Sequence, residues 1–316
     1  MIIDKVKKSE INSEGIDERK VMRIDAENMG MLQMLLSENL YSDAISSIVR
    51  ELTCNGVDAV VEAGKNPIEC PVIVSTYEEN DNYFFSVKDT GLGLDEDDFD
   101  NVISSYLKST KRTSNELIGM MGIGSKSPLA YQNSYYWICR KAGVERKFMV
   151  YKGEQFTEYT KLTEVETSEE NGTEVIVPIK NEKSGGYSYG YQSDISKFER
   201  AMDTQLAYFE TVAIIKRGNL VKDYKIYREE DFQFSTLCSD SNLHICLKDV
   251  YYPIDWAKLG VKEINLGVGL RFGLGSGLTP SPARETLIYN RETIDLIKEK
   301  IEKVCKWFID KSFPCW

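Results

Sequence analysis

Glu51, Asn55 and Asp58 lie in the stretch Glu51-Leu52-Thr53-Cys54-Asn55-Gly56-Val57-Asp58-Ala59. At about 100° per residue, the three polar side chains fall within an arc of about 60° on a helix. Ile45, Ile48, Val49, Leu52 and Ala59 occupy the adjacent apolar arc, and Arg50 points the other way. A carboxylate and an amide one turn apart, at the edge of a buried face, can hold a water and a metal ion together. The amide oxygen suits a hard cation, and the carboxylate can act as a general base. Alone, the same pattern is the wet border of an amphipathic helix, so its meaning depends on the motifs downstream of it.

Two further elements carry chemistry. Tyr83-Phe84-Phe85-Ser86-Val87-Lys88-Asp89-Thr90-Gly91-Leu92-Gly93 reads as a strand that ends on an acid and then on two glycines. It is either a simple strand and turn or a carboxylate placed to receive a base amino group, with Gly91 and Gly93 letting the backbone approach a ligand. Ile118-Gly119-Met120-Met121-Gly122-Ile123-Gly124-Ser125-Lys126-Ser127-Pro128 sets three glycines before a helix start. Backbone N–H groups there suit phosphate oxygens. A P-loop is excluded, because that template needs Lys directly after its second Gly. Here Ser125 intervenes, and residues 108–118 are polar instead of a buried strand.

In this order the three elements resemble the GHKL superfamily, the gyrase, Hsp90, histidine kinase and MutL ATPases. Glu51 to Ala59 is similar to its N-box, Asp89 to Gly93 to its first glycine box, and Gly119 to Gly124 to its second. Leu35-Leu36-Ser37-Glu38-Asn39-Leu40-Tyr41-Ser42-Asp43 upstream and Asn171-Gly172-Thr173-Glu174-Val175-Ile176-Val177 downstream extend the likeness to Hsp90-like members. The segments Gly122 to Tyr131 and Thr279-Pro280-Ser281 followed by Arg284-Glu285-Thr286-Leu287-Ile288-Tyr289 are most similar to RIIA-like phage ATPases. The likeness covers nearly the whole chain.

The resemblance implies an α+β chain. Residues 1–217 would form a Bergerat-type α/β sandwich, a mixed sheet covered by helices, with an N-terminal arm and a lid at about 95–118. Residues 218–316 would form a smaller α/β domain of the transducer or middle type. It also implies ATP and Mg²⁺. Asp89 would accept from the adenine amino group, with Thr173 supporting it through water, and Asn55 would ligate the magnesium. Gly91, Gly93, Gly119, Gly122, Ile123 and Gly124 would line the nucleotide. Lys108 and Ser109 of the lid, and Lys126, would approach the phosphates, while Asp58 orders pocket water. Glu51 would deprotonate the attacking water, and Arg284 would reach the γ-phosphate from the second domain. One departure bears on Arg284: Ser281-Pro282-Ala283-Arg284 stands where the family pattern has Ser-Arg-Glu. The extra Pro-Ala leaves the reach of the guanidinium open.

The implied activity is Mg-dependent ATP binding and slow hydrolysis that closes the lid, joins two copies into a homodimer and acts on a protein partner or client. The alternative is a nucleotide-gated binding protein with negligible hydrolysis, acting through host or phage partners. A histidine-kinase-like phosphotransferase is disfavoured, since the sole histidine, His244, sits in a strand-like segment and is read as a satisfied, partly buried residue. A topoisomerase subunit is disfavoured because the acidic chain has no DNA-cleavage domain.

Composition is ordinary for a soluble globular protein. A chain of 316 residues, 42% hydrophobic and 28% charged, can bury a substantial core in two domains. A net charge of −11 argues against general nucleic-acid binding. No apolar run reaches membrane-spanning length, and Met1-Ile2-Ile3-Asp4-Lys5 lacks a signal-peptide hydrophobic region. Seven scattered cysteines without C-x-x-C spacing fit reducing cytoplasm, host cytoplasm if the gene is a phage's.

Residues 1–22 read as an arm or edge strand, and 25–40 and 43–63 as helices. Pro71 to Thr76 and Tyr83 to Lys88 read as a hairpin across 78–82. The acids from Asp95 to Asp100 read as a helix start, since they lack the Gly and Glu of an EF-hand loop. Strands are predicted at about 135–140, 146–151, 156–161 and 174–179, a connection at 181–193, a helix at 194–209 and a strand at 211–217. In the second domain, 243–248 and 264–273 are strand-like. A closing helix carries Ile294, Ile297, Ile301, Val304 and Phe308 on one stripe, packed on its own sheet.

Overall fold

The computed structural model describes residues 40–103, 123–154, 156–180, 193–222 and 224–312. The predicted arm, the helix at 25–40, most of the lid with Lys108 and Ser109, Gly119, Gly122 and nearly all of the 181–193 connection lie outside the described residues.

Helix α1, Ala44–Glu62, begins where Asp43 accepts from the Ser46 backbone N–H at 3.1 Å, and it runs on the apolar spacing of Ile48, Val49, Leu52, Val57 and Val60, all buried. It leads to a hairpin of β1, Val72–Glu79, and β2, Asn82–Lys88. The turn is tighter than predicted. Asn80 and Asp81 both take positive φ, 50° and 60°, so a two-residue turn whose twist matches the strands closes the hairpin. Helix α2, Glu96–Ile103, starts at the acid cluster as predicted. Asp95 accepts from Asp98 N at 2.9 Å and Asp98 accepts from Asp95 N at 3.2 Å, a reciprocal cap. A 3-10 turn, Gly124–Ala130, then leads to β3, Ser134–Lys141, β4, Val144–Lys152, β5, Thr157–Glu166, and β6, Gly172–Ile179. Helix α3, Asp194–Gln205, precedes β7, Val212–Lys216, and β8, Asn219–Leu220.

These strands form one eight-stranded mixed sheet, in the order β5-β4-β3-β6-β2-β1-β7-β8. Every pairing is antiparallel except β1 with β7. The remaining chain builds a second mixed sheet of five strands: β9, Ile226–Arg228; β10, Phe232–Ser235; β11, His244–Leu247; β12, Val250–Pro253; and β13, Gly269–Phe272. Their order is β12-β11-β13-β10-β9. A short helix α4, Trp256–Leu259, and a long helix α5, Arg291–Ser312, complete this unit. The chain is thus an α+β protein with helices packed on an eight-stranded mixed sheet and a second, smaller sheet.

Several details depart from the sequence reading. The helix expected over 194–209 stops at Gln205, and the strand expected over 264–273 shortens to Gly269–Phe272. Strands β9, β10 and β12 were not foreseen, because three or four residues are too few to display a period of two. The α5 stripe does pack on its own sheet. Ile297, Ile301 and Val304 are buried, and Phe308 meets the ring of Phe232 at 5.3 Å. The apolar core is continuous across both units, and α3 touches both α1 and β12.

Phe99 anchors α2 to the sheet, stacking on Phe148 at 3.9 Å and meeting Trp137 and Tyr159 edge-on. Phe99→Ala is expected to cost about 3–5 kcal/mol of stability, measured by urea unfolding. A loss under about 1 kcal/mol would mean that this ring cluster does not fasten α2.

Candidate functional site

One face of α1 organises the site. Glu51, about two turns into the helix, is buried. Its Oε2 accepts from Arg284 Nη1 at 3.2 Å, and its Oε1 faces Arg50 Nε at 3.3 Å. A Cβ added to Gly124 would stand 2.6 Å from Glu51 Oε2, so the backbone of the 3-10 turn lies close against this carboxylate and a larger residue would displace it. Further along, a Cβ on Gly56 would lie 3.6 Å from that of Asp89, and one on Gly91 2.9 Å from that of Ala59. The three sequence-separated elements therefore meet on a single helix. Glu51 and the Gly124 turn lie at one end of its face, Asp89 and Gly91 at the other, a separation of about 8–12 Å along the axis.

Asp89 is buried where β2 ends. Its Oδ1 accepts from Gly91 N at 2.8 Å and from Thr173 N at 3.3 Å, and its Oδ2 accepts from the Thr173 hydroxyl. Thr173 thus supports Asp89 directly instead of through water, because strands β2 and β6 are neighbours and Asp89 N also donates to Thr173 O at 2.9 Å. Gly93, at φ 70°, is where a Cβ would stand 1.8 Å from the Arg140 carbonyl oxygen, so the loop after Asp89 is held tight against β3. Asn55 is half-buried, and Asp58 is buried. Ile123 is buried at the head of the 3-10 turn, whose Ser125 carbonyl accepts from Tyr135 at 2.7 Å.

Lys126 is fully enclosed, not poised at an open mouth, and burial pulls its pKa down to about 8. Among the described residues, no group of three or more His, Cys, Asp or Glu side chains is arranged to hold a metal ion. His244 is fully enclosed and satisfied, with Nε2 2.6 Å from the Tyr208 hydroxyl and Nδ1 2.9 Å from the Asn242 carbonyl.

Arg284 comes from a loop of the second unit and takes a left-handed backbone, φ 56°, which is strained for a side chain with a Cβ. Hydrogen bonds from Arg284 N to Ser281 O and from Ser281 N to Thr286 O, both 2.8 Å, impose that turn. The extra Pro-Ala does not carry the guanidinium away from Glu51; it lies against it. Burial opposes the charge of Arg284, but the Glu51 carboxylate outweighs it, and the pKa stands well above the ordinary value. Its Nε is buried without a hydrogen-bond partner among the described residues.

Two residues were missed from sequence. Arg50, expected on the opposite face, is buried because α3 and the Arg284 loop cover that face. Its guanidinium lies 3.5 Å from Gln205 Oε1 and 3.1 Å from Ala283 O. An arginine inside Ile48-Val49-Arg50-Glu51-Leu52, a run of apolar helix, was the available signal. Glu285 grips the start of α1, and nothing in its local sequence indicates this. No family model matches the chain and no curated protein is detectably similar to it, so the functional argument rests on these residues.

Lys126 yields a pH test. Its folded pKa, about 8, lies below the unfolded value of 10.5. Between those values the unfolded chain binds more protons, so stability should rise with pH across that window. The rise attributable to this group is roughly 3 kcal/mol at most. Urea unfolding of wild type and Lys126→Met across the window should show the difference between them shrinking as pH increases. A constant difference would mean that Lys126 is not held in this environment.

Proposed function

We propose that this chain is a nucleotide-binding ATPase of the GHKL kind, with a Bergerat-type first unit and a transducer-like second unit. The supporting observation is the layout of α1, which sets an arginine-paired carboxylate about 8–12 Å from a buried strand-end aspartate. That distance suits a nucleotide lying along the helix face, its base at Asp89 and its phosphates at Glu51 and Gly124. Asp89, braced by Thr173 and Gly91, presents a fixed carboxylate acceptor to an exocyclic amino group. Two guanidinium groups meet at the Glu51 carboxylate, and such planar donors suit the oxygens of a polyphosphate. The unused Nε donor of Arg284 is one that a phosphate oxygen would satisfy.

Asn55 is the residue that fits a magnesium ion, because Mg²⁺ takes few protein oxygens when phosphates and waters supply the rest. Bound there, the ion would neutralise phosphate charge. The chemistry of the chain itself centres on Glu51. Both its oxygens are engaged by arginine, so it is held away from base duty. Transfer of Arg284 from Glu51 to the terminal phosphate releases Oε2, which can then orient and deprotonate water. Arg284 meanwhile stabilises charge on the transferring group. The same exchange joins the two units through the nucleotide, a route by which hydrolysis would move them and drive closure, dimerisation or partner binding. A nucleotide-gated binding protein without turnover is the second reading, favoured by the occupation of both Glu51 oxygens.

Glu51→Ala should lower phosphate release by about 10²–10⁴-fold while ATP affinity, read by calorimetry, stays within a few-fold. Asp89→Asn should lose ATP binding instead. Equal losses of binding in both variants would contradict the division of roles, and no phosphate release by wild type would favour the binding-protein reading.

A further inference from the structure

We propose that Glu285 is the positioning residue of the second unit: its carboxylate, seated on the start of α1, fixes where Arg284 stands against Glu51. The consequence for turnover rests on the ATPase reading above; the seat itself is geometry. Glu285 Oε2 accepts from Ser42 N at 3.1 Å and Ser42 Oγ at 2.6 Å. Its Oε1 accepts from Asp43 N at 2.8 Å and Ser47 Oγ at 3.2 Å. Asp43 already caps the helix through Ser46 N, so α1 does not need a second acceptor to start. What the contact adds is a link across more than 230 residues of sequence.

Three successive residues of the loop hold α1. The Ala283 carbonyl accepts from Arg50 Nη2 at 3.1 Å, Arg284 meets Glu51, and Glu285 grips the helix start. Arg50 Nη2 also donates to Ser47 Oγ at 3.1 Å, which closes a ring through Glu285. The apolar core between the units supplies attraction without direction, whereas these bonds set the register. Burial raises the pKa of Glu285, yet the hydrogen bonds from Ser42, Asp43 and Ser47 outweigh it and the net shift is downward, as for a carboxylate whose ionised form is the one bound. The seat lines a cleft of about 560 Å³ that also includes Arg50, Arg200 and Gln205. Glu285 is only half-buried there, so the seat can open without unpacking the core.

Both oxygens receive a backbone N–H, which can only donate, so an amide is no substitute: its NH₂ must face either Ser42 N or Asp43 N. The test uses the full chain as wild type, Glu285→Ala, Glu285→Gln, Arg284→Ala and the Arg284→Ala/Glu285→Ala double variant. Amide hydrogen exchange over 41–50 and 279–288 is read beside kcat, KM and ATP affinity. Both Glu285 variants should exchange faster in both segments and lose about 10–100-fold in kcat with KM and affinity unchanged. The double variant should be no slower than Arg284→Ala alone. Unchanged exchange, a glutamine that works as well as glutamate, or losses that add in full would each overturn the proposal. Glutamine, nearly the size of glutamate, keeps the test valid if the alanine variant misfolds. If wild type releases no phosphate, the ATPase reading fails, and the exchange data still decide the role of Glu285.

Discussion

The buried carboxylate of Glu51 is the constraint around which the rest of the molecule is arranged. An ionised group taken out of water is tolerated only when opposite charge and hydrogen bonds replace its hydration. Arg50 supplies one partner from the same helix, and Arg284 supplies the other from 233 residues away. The second partner cannot arrive alone. It needs the second sheet to carry its loop, a strained left-handed residue at the tip, and a continuous core to hold the two units together. A strained backbone persists only where its surroundings over-determine it. Here the loop's own hydrogen bonds and the grip of α1 on its flanking residues do so.

Charge balance gives that arrangement a direction. The chain as a whole carries −11, yet Glu51 lies between two guanidinium groups. Lys126 is enclosed on the 3-10 turn whose first residue, Gly124, lies against the same carboxylate. At the other end of α1, Asp89 accepts from Gly91 N, Thr173 N and the Thr173 hydroxyl. The helix face therefore has an arginine-bearing end and a carboxylate end, the polarity on which the proposed nucleotide reading rests.

Much of the first unit was legible in the sequence because its signals are local. The apolar spacing of α1, the acid-rich start of α2 and the strand–Asp–Gly transition at Asp89 each show within a dozen residues. The face of Arg50 was misread for a physical reason. A helical wheel assumes one dry side, while α1 is covered on several, by the sheet, by α3 and by the 283–285 loop. The second unit was legible at its closing helix and at the strands His244–Leu247 and Gly269–Phe272, while its other strands, three or four residues long, carry no periodicity. Glu285 was illegible, because its meaning lies entirely in partners more than 230 residues away. The direct contact of Thr173 with Asp89 follows from strand order, which no single strand's sequence contains.

The paired state of Glu51 also bears on whether turnover or binding is the purpose of the site. A bare carboxylate beside a polyphosphate repels it, so a protein that only binds nucleotide gains nothing by keeping one there. A carboxylate already neutralised by arginine removes that objection, and on this ground alone the binding reading survives. The two arginines are not equivalent, however. Arg50 is tied to Ser47, Gln205 and Ala283 as well as to Glu51, whereas Arg284, which meets Glu51 and Tyr252, has a buried Nε left over. An incoming phosphate would therefore draw on Arg284 and leave Arg50 in place. Glu51 would keep one partner that holds its orientation and lose the one that occupies its second oxygen. On the proposed ATPase reading, that asymmetry is what lets an arriving substrate release the base, and on the binding reading it has no such use.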